Sequence, residues 1–176
     1  MERKLTILKV FFEDPNRKFS IRQLSRILKI NHTTVREHLN KLSKEGFLSS
    51  KKEGVYSFYK LIINNKSLNL KLYYNLEKIR KSEIIEDLEK EYDLPVIVLF
   101  GGYASAMDDN TSDIDLCLIS NIEKEFLTEK YEKKLNRKIS IHKFDNAAWE
   151  KTKKENSGLI NNICNGLVLS GEFEVL

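Results

Sequence analysis

The strongest constraint on this chain is a pair of short apolar runs with glycines between them. Pro95-Val-Ile-Val-Leu-Phe100 is continuously apolar, the mark of a strand buried on both faces. It leads into Gly101-Gly102-Tyr-Ala-Ser-Ala106, then Met-Asp-Asp-Asn-Thr, then Ser112-Asp113-Ile114-Asp115-Leu116-Cys-Leu-Ile-Ser120. Residues two apart on a strand point to one face. Asp113 and Asp115 therefore share a side, and Ile114 and Leu116 take the other. Carboxylate oxygens suit a hard divalent cation, and the free amides of a glycine turn suit phosphate. Together they predict a site for Mg2+ and a nucleoside triphosphate. An Asp-x-Asp on a strand also suits a plain solvent-facing edge.

The front of the chain has a different character. Residues 1–66 hold 15 Lys+Arg against 6 Asp+Glu, a charge of +9; the remainder holds 15 against 20, or −5, giving the total of +4. A basic half joined to an acidic half points to a polyanion partner for the first half only.

Periodicity in that basic half reads helix, helix, helix, hairpin. Leu5, Ile7, Leu8, Val10, Phe11 and Phe12 have helical density up to Asp14-Pro15, where the residue before proline leaves the helical region. Ser20 and Gln23 form a capping box, and Ile21, Leu24, Ile27 and Leu28 predict the buried stripe of the helix it starts. Asn31 caps a third helix that buries Val35, Leu39 and Leu42, with Gly46 closing it. Phe47–Ser50 and Val55–Leu61 then read as strands, with the tip at Lys51-Lys52-Glu53-Gly54.

This order is a winged helix-turn-helix, and QLSRILKINHTTVREHLNKLSKEGFLSS resembles small bacterial and archaeal winged-helix repressors over residues 1–62. In such folds the third helix enters the major groove of double-stranded DNA, usually from a dimer, so a homodimer is expected. His32, Thr33, Arg36, Glu37, Asn40 and Lys41 face away from the buried stripe. Thr33 and Arg36 are placed for base edges or phosphates, and Asn40 suits adenine. Lys18, Arg22 and Arg26 are placed for the backbone, and Lys51 and Lys52 for phosphate or the minor groove. The other use of such a face is a protein contact.

Residues 63–93 read as a helical connector. Leu68, Leu72, Leu76 and Ile79 recur at near-helical spacing, and Ser82 is placed to cap a second helix through Ile84, Ile85, Leu88 and Tyr92. Beyond it, residues 122–136 predict a charged helix burying Phe126, Leu127, Tyr131 and Leu135. Residues 138–144 predict a strand with Ser140 and His142 on the side opposite Ile139 and Ile141. Two further helices, one with a packing Trp149, and a last strand at 167–169 complete a third segment, 94–176.

That segment resembles the nucleotidyltransferase superfamily sharing the DNA polymerase β fold, in its minimal members. Their signature is Gly-Ser, ten residues, then Asp-x-Asp; here Gly101-Gly102 is followed by residues 103–112 and Asp113-Ile114-Asp115. The likeness implies an α+β, two-domain chain with a mixed sheet flanked by helices. It implies metal binding and catalysis at Asp113 and Asp115, and nucleotide binding at Gly101, Gly102 and Ser112. Three departures weaken the pattern. Gly102 replaces the serine, Ala106 replaces a common glycine, and the 138–144 strand offers Ser140 and His142 where active members often have a third carboxylate. Asp145 reaches inward only through a bend. His142 suits a structural hydrogen bond, and base chemistry in principle.

Two functions fit. One is a DNA-binding regulator with a nucleotide-binding second domain. The other is an enzyme transferring NMP, such as AMP, to a protein or RNA hydroxyl, including an antitoxin acting on a toxin partner. Cys117 and Cys164 lack a Cys-x-x-Cys pattern and read as reduced thiols, and the three histidines lack zinc spacing. With no membrane-length apolar run and no signal-like N-terminus, a cytoplasmic location is expected.

Overall fold

The computed structural model describes residues 2–172. The chain divides into two compact units, Met1–Lys71 and Leu72–Leu176.

The first unit runs α1 (Glu2–Glu13), β1 (Phe19–Ser20), α2 (Ile21–Leu28), α3 (His32–Lys44), β2 (Leu48–Glu53) and β3 (Tyr56–Leu61). Both predicted caps form. Ser20 Oγ accepts from the Gln23 amide at 3.3 Å while Gln23 Oε1 accepts from the Ser20 amide at 2.8 Å. Asn31 Oδ1 accepts from the Thr34 amide at 2.8 Å. Each such cap contributes about 1 kcal/mol by satisfying amides that the helix leaves open. Ile7, Leu8, Phe11 and Phe12 of α1, Leu24 of α2, and Val35, Leu39 and Leu42 of α3 are buried. At roughly 1.5–3 kcal/mol for each large apolar side chain, that burial outweighs the caps.

Three local expectations change. Ile27 is 51% exposed, because α1, α3 and β1 cover only one narrow side of the eight-residue α2. The hairpin turns at Gly54-Val55, not at Lys51–Gly54. Lys51 and Lys52 pair in register with Phe58 and Ser57 and lie on β2 itself; Gly54, at φ +60°, supplies the left-handed backbone of the turn. Finally, Phe19-Ser20 adds β1 to the hairpin, giving the order β1-β3-β2.

Helix α4 (Asn65–Ser82) crosses the division between the units. Asn64 starts it. Its carboxamide oxygen accepts from the Ser67 amide, and its own amide donates to Ser67 Oγ, both at 3.0 Å. Ser82 is the last residue of α4 and serves both helices: its hydroxyl donates to the Ile79 carbonyl at 2.6 Å and accepts from the amide of Ile84, which opens the next helix, at 3.3 Å. Left-handed Glu83 (φ +69°) then makes the break.

The second unit continues with α5 (Ile84–Glu91), β4 (Val96–Phe100), α6 (Gly101–Ser105), β5 (Ile114–Ile119) and α7 (Glu129–Leu135). It ends with β6 (Ile139–Phe144), α8 (Asn146–Glu155), α9 (Ser157–Cys164) and β7 (Leu167–Ser170). Among the described residues the sheet order is β6-β5-β4-β7. Strand β5 runs parallel to β6, and β4 runs antiparallel to β5 and β7. Ile97, Leu99, Ile114, Leu116 and Leu118 face a core with Ile79, Ile84, Leu88, Tyr92 and Tyr131. Val98, Phe100 and Cys117 face Trp149, Ile160 and Ile163. Burial on both sides explains why β4 and the stretch Leu116–Ile119 of β5 read as continuously apolar.

The expected helix over 122–136 shortens to Glu129–Leu135. The Lys124 carbonyl is taken by the Tyr92 hydroxyl at 2.7 Å and Lys143 Nζ at 3.1 Å, so the preceding stretch bonds outward instead of up a helix. Leu127 is 67% exposed there, not buried, while Phe126 stacks on Tyr131 at 5.5 Å. Both cysteines are free, and burial pushes the Cys117 thiol up to about 12. None of the helices among the described residues is long and apolar enough to cross a membrane.

Candidate functional site

Strand β4 delivers the glycines to the carboxylates. Phe100, its last residue, pairs in register with Asp115. Gly101 follows at φ +71° and starts α6. A Cβ on Gly101 would stand 2.5 Å from Asp115 Oδ2. The left-handed backbone favours glycine there, and a Cβ would make the Asp115 carboxylate shift aside. Gly102 is different: a Cβ would meet Asp108 backbone atoms at 3.6 Å, an ordinary contact. Nothing steric excludes a serine at this position.

Asp115 is half-buried and Asp113, one residue before β5, is exposed. Burial raises the Asp115 pKa; the His142 imidazole opposes that and the Asp113 carboxylate adds to it. A carboxylate held above its ordinary range by desolvation and a like charge is one that a bound cation relieves. Ser140 pairs in register with Asp115, and His142 with Cys117. By strand alternation, Asp115, Ser140 and His142 share a face. Ser140 Oγ lies 3.3 Å from His142 Nε2, and the imidazole meets the Phe100 ring edge-on at 5.3 Å. Asp145 points elsewhere: it caps α8, accepting from the Ala148 amide at 2.6 Å.

The loop between glycines and aspartates is tied down at several points. Ala106 adopts left-handed backbone at φ +59° to end α6, a conformation that glycine takes without penalty. The Met107 and Asp108 amides both donate to the Gly102 carbonyl. Asp109 Oδ1 accepts from the Thr111 amide and hydroxyl at 2.9 and 2.7 Å and from Ser112 Oγ at 3.2 Å. The Thr111 hydroxyl is the chief cause of the lowered Asp109 pKa. Ser112, expected at the nucleotide, has its hydroxyl bonded within this turn, where it also accepts from the Asp109 amide at 3.0 Å. Arg137 Nη1 donates to the Asn110 carbonyl at 3.2 Å.

The residue that sequence reading missed is Asn75 of α4. Its side-chain amide, 1% exposed, donates to Asp108 Oδ1 at 2.8 Å and to the Tyr103 carbonyl at 3.0 Å. The signal was a polar residue in an apolar row: Leu68, Leu72, Asn75 and Ile79 follow i, i+4, i+7, i+11.

The donor set bears on the metal question. Among the described residues no three His, Cys, Asp or Glu side chains come together as a metal-holding group. Two carboxylates still fit Mg2+, which commonly takes one or two from protein and completes its shell with substrate phosphate and water.

In the first unit, Val35, Leu39 and Leu42 are buried on α3, while His32, Thr33, Arg36, Glu37, Asn40 and Lys41 are exposed. Asn40 Oδ1 accepts from the Tyr59 hydroxyl at 3.4 Å. Arg22, Arg26, Lys51 and Lys52 are also exposed, with Arg22 over the Tyr56 ring. Lys18 is less available than expected, since it pairs with Glu53 at 2.7 Å.

Comparison with known proteins follows the same division. A family model described as a bacterial regulatory protein of the arsR family matches residues 2–50. A nucleotidyltransferase domain model matches residues 81–169. Among solved structures, a "Possible transcriptional regulator from Methanosarcina mazei Go1" is similar at 20% identity and a TM-score of 0.37. That match covers 51% of this chain and 78% of that one. No curated protein matches. With half of its length matched, the chain belongs to the nucleotidyltransferase domain family, and an arsR-type helix-turn-helix precedes that domain.

Proposed function

We propose that this protein is a DNA-binding transcriptional regulator whose second unit binds a nucleoside triphosphate with Mg2+. The observation that carries the nucleotide site is the packing of Gly101 against Asp115, whose Oδ2 would lie only 2.5 Å from a Cβ on Gly101, so that turn and carboxylate adjoin directly. Asp113 and Asp115 would hold the metal, and the first-turn amides at Gly101 and Gly102, which lack partners within the helix, would meet phosphate. On the DNA side, Arg36, Thr33, His32, Asn40 and Lys41 of α3 would face the major groove. Arg22, Arg26, Lys51 and Lys52 would meet the backbone. A homodimer would present two such surfaces to paired half-sites.

The test is a thermal melt of the full chain. MgATP and the other Mg-NTPs are added in turn to wild type and to an Asp113→Ala, Asp115→Ala double variant. At least one nucleotide should raise the wild-type melting temperature, and the double variant should lose the shift. An equal shift in both proteins would place the nucleotide elsewhere.

One observation favours a second reading, transfer of NMP to a protein or RNA hydroxyl. His142 shares the Asp115 face, as a base for the attacking hydroxyl would. A bound divalent ion would supply charge neutralisation for in-line displacement of pyrophosphate. Labelled NTP should then label a co-expressed acceptor, such as a toxin partner, and His142→Ala should abolish that labelling while leaving nucleotide binding intact.

A further inference from the structure

Strand β6 sets a serine and a histidine side by side next to the carboxylates. Ser140 Oγ lies 3.3 Å from His142 Nε2. Ser140 also pairs in register with Asp115 across parallel strands, whose backbones stand about 4.8 Å apart. The buried Phe100 ring packs edge-on against the imidazole at 5.3 Å. Further along this face of the sheet, Cys117 is fully buried with Trp149, Ile160 and Ile163 of the covering helices. Asp115, Ser140 and His142 keep part of their surface open.

A hydroxyl within hydrogen-bond reach of a positioned imidazole is the arrangement of an activated nucleophile. In the tautomer with its proton on Nδ1, His142 accepts at Nε2 from the Ser140 hydroxyl. Neither side chain belongs to the apolar cluster on either side of the sheet. Other hydroxyls of the glycine turn and its loop are committed to local structure. Thr111 and Ser112 bond within the Asp109 turn, and Ser105 Oγ donates back to the Gly101 and Gly102 carbonyls. Of these four hydroxyls, Ser140 is the one set against an imidazole.

We propose that Ser140 is itself an acceptor, and that the chain transfers NMP from a bound nucleoside triphosphate to its own Ser140 Oγ. The inference rests on the NMP-transfer reading above and names the hydroxyl. His142 Nε2 takes the hydroxyl proton as Ser140 Oγ bonds to the α-phosphorus. The bond from that phosphorus to the bridging oxygen of the β-phosphate breaks, its electron pair stays with that oxygen, and pyrophosphate leaves. The product is a phosphodiester joining Ser140 to the nucleoside. The step consumes only the triphosphate and needs no oxidant or second substrate.

The experiment incubates the purified full chain with each Mg-NTP, labelled on either the α- or the γ-phosphate, and follows label on the protein. α-Label should accumulate on wild type and γ-label should not. Fragmentation of the product by mass spectrometry should place one nucleotidyl group on Ser140. Ser140→Ala should lose that label yet keep the Mg-NTP thermal shift, and Ser140→Thr, which restores a hydroxyl, should regain it. His142→Ala should slow labelling by about a hundredfold or more, the loss expected of a general base. Acceptor and site lie in one unit, so the labelled fraction should grow at a rate independent of protein concentration. A thermal shift in wild type with no α-label on Ser140 overturns this proposal and leaves transfer to another hydroxyl standing. Equal labelling of folded Ser140→Ala also overturns it, as does a rate proportional to protein concentration. Absence of a thermal shift with every nucleotide overturns the nucleotide site and this proposal together.

Discussion

The two units use charge in opposite ways. The first spreads cations over an exposed surface: Arg22, Arg26, Arg36, Lys41, Lys51 and Lys52 all stand in solvent. The second sets two carboxylates, Asp113 and Asp115, two residues apart, with Asp115 half-buried and its Oδ2 close against Gly101. A spread of exposed cations suits a polyanion, because each contact adds a similar increment through counterion release. A desolvated carboxylate beside a rigid turn suits a single small ligand, because position decides whether the ligand fits at all. Damage should therefore be graded in the first unit and all-or-none in the second.

Gly101→Ala should produce the largest effect. The left-handed backbone alone costs an alanine roughly 1–2 kcal/mol, and the new methyl must push Asp115 aside from a 2.5 Å approach. A lower melting temperature and complete loss of the Mg-NTP shift are expected. Retention of nucleotide binding at wild-type affinity would break the contrast between the units.

In the first unit, Arg36→Ala should weaken specific duplex binding by about tenfold or more, whereas Lys52→Ala should weaken all duplexes alike and lower the salt slope by about one. Anisotropy titrations across a salt series separate the two. An all-or-none loss from Lys52→Ala would contradict the graded picture.

Acidification sharpens the comparison further. The folded-state pKa of Asp115 is raised by burial. A raised acid binds its proton in the native state at pH values where the unfolded chain has released it, so this group's contribution to stability improves as pH falls. Metal must displace that proton, so Mg-NTP affinity should decline on acidification at a higher pH than for an ordinary aspartate. Calorimetric titration across pH should show this for the nucleotide and no such dependence in Asp115→Asn, whose residual affinity should be low throughout.

The smallest effect belongs to Gly102→Ser. The site has ordinary room for a Cβ, the backbone is not left-handed, and serine is a better helix former than glycine. Melting temperature should hold or rise by a degree or two, consistent with the few tenths of a kcal/mol expected. Nucleotide affinity should rise if the new hydroxyl reaches phosphate. A destabilised variant would mean that the turn at 101–102 has no slack.

Much of this was legible because it is local. Ser20, Gln23 and Asn31 announce caps that act within a few residues of themselves, and the structure forms them as read. The Gly101-Gly102 to Asp113 spacing announces a strand, a turn and a second strand. Where reading failed, the deciding partner was remote. The stretch at 122–128 has helical composition, yet Tyr92 and Lys143 take the carbonyl of Lys124. Lys51 and Lys52 looked like a turn because charge and glycine cluster there, but pairing with Phe58 and Ser57 extends the strand past them.

What the sequence determined by itself is the order of elements, the division of charge and the spacing of the glycine and aspartate motifs. Each follows from periodicity, capping chemistry and strand alternation, which are short-range. The tertiary structure alone decided that Asp115 presses on Gly101, that Ser140 and His142 join its face, and that Asn75 braces the loop from α4. Those contacts join residues far apart in the chain, and only the packed sheet and helices bring their atoms within bonding distance.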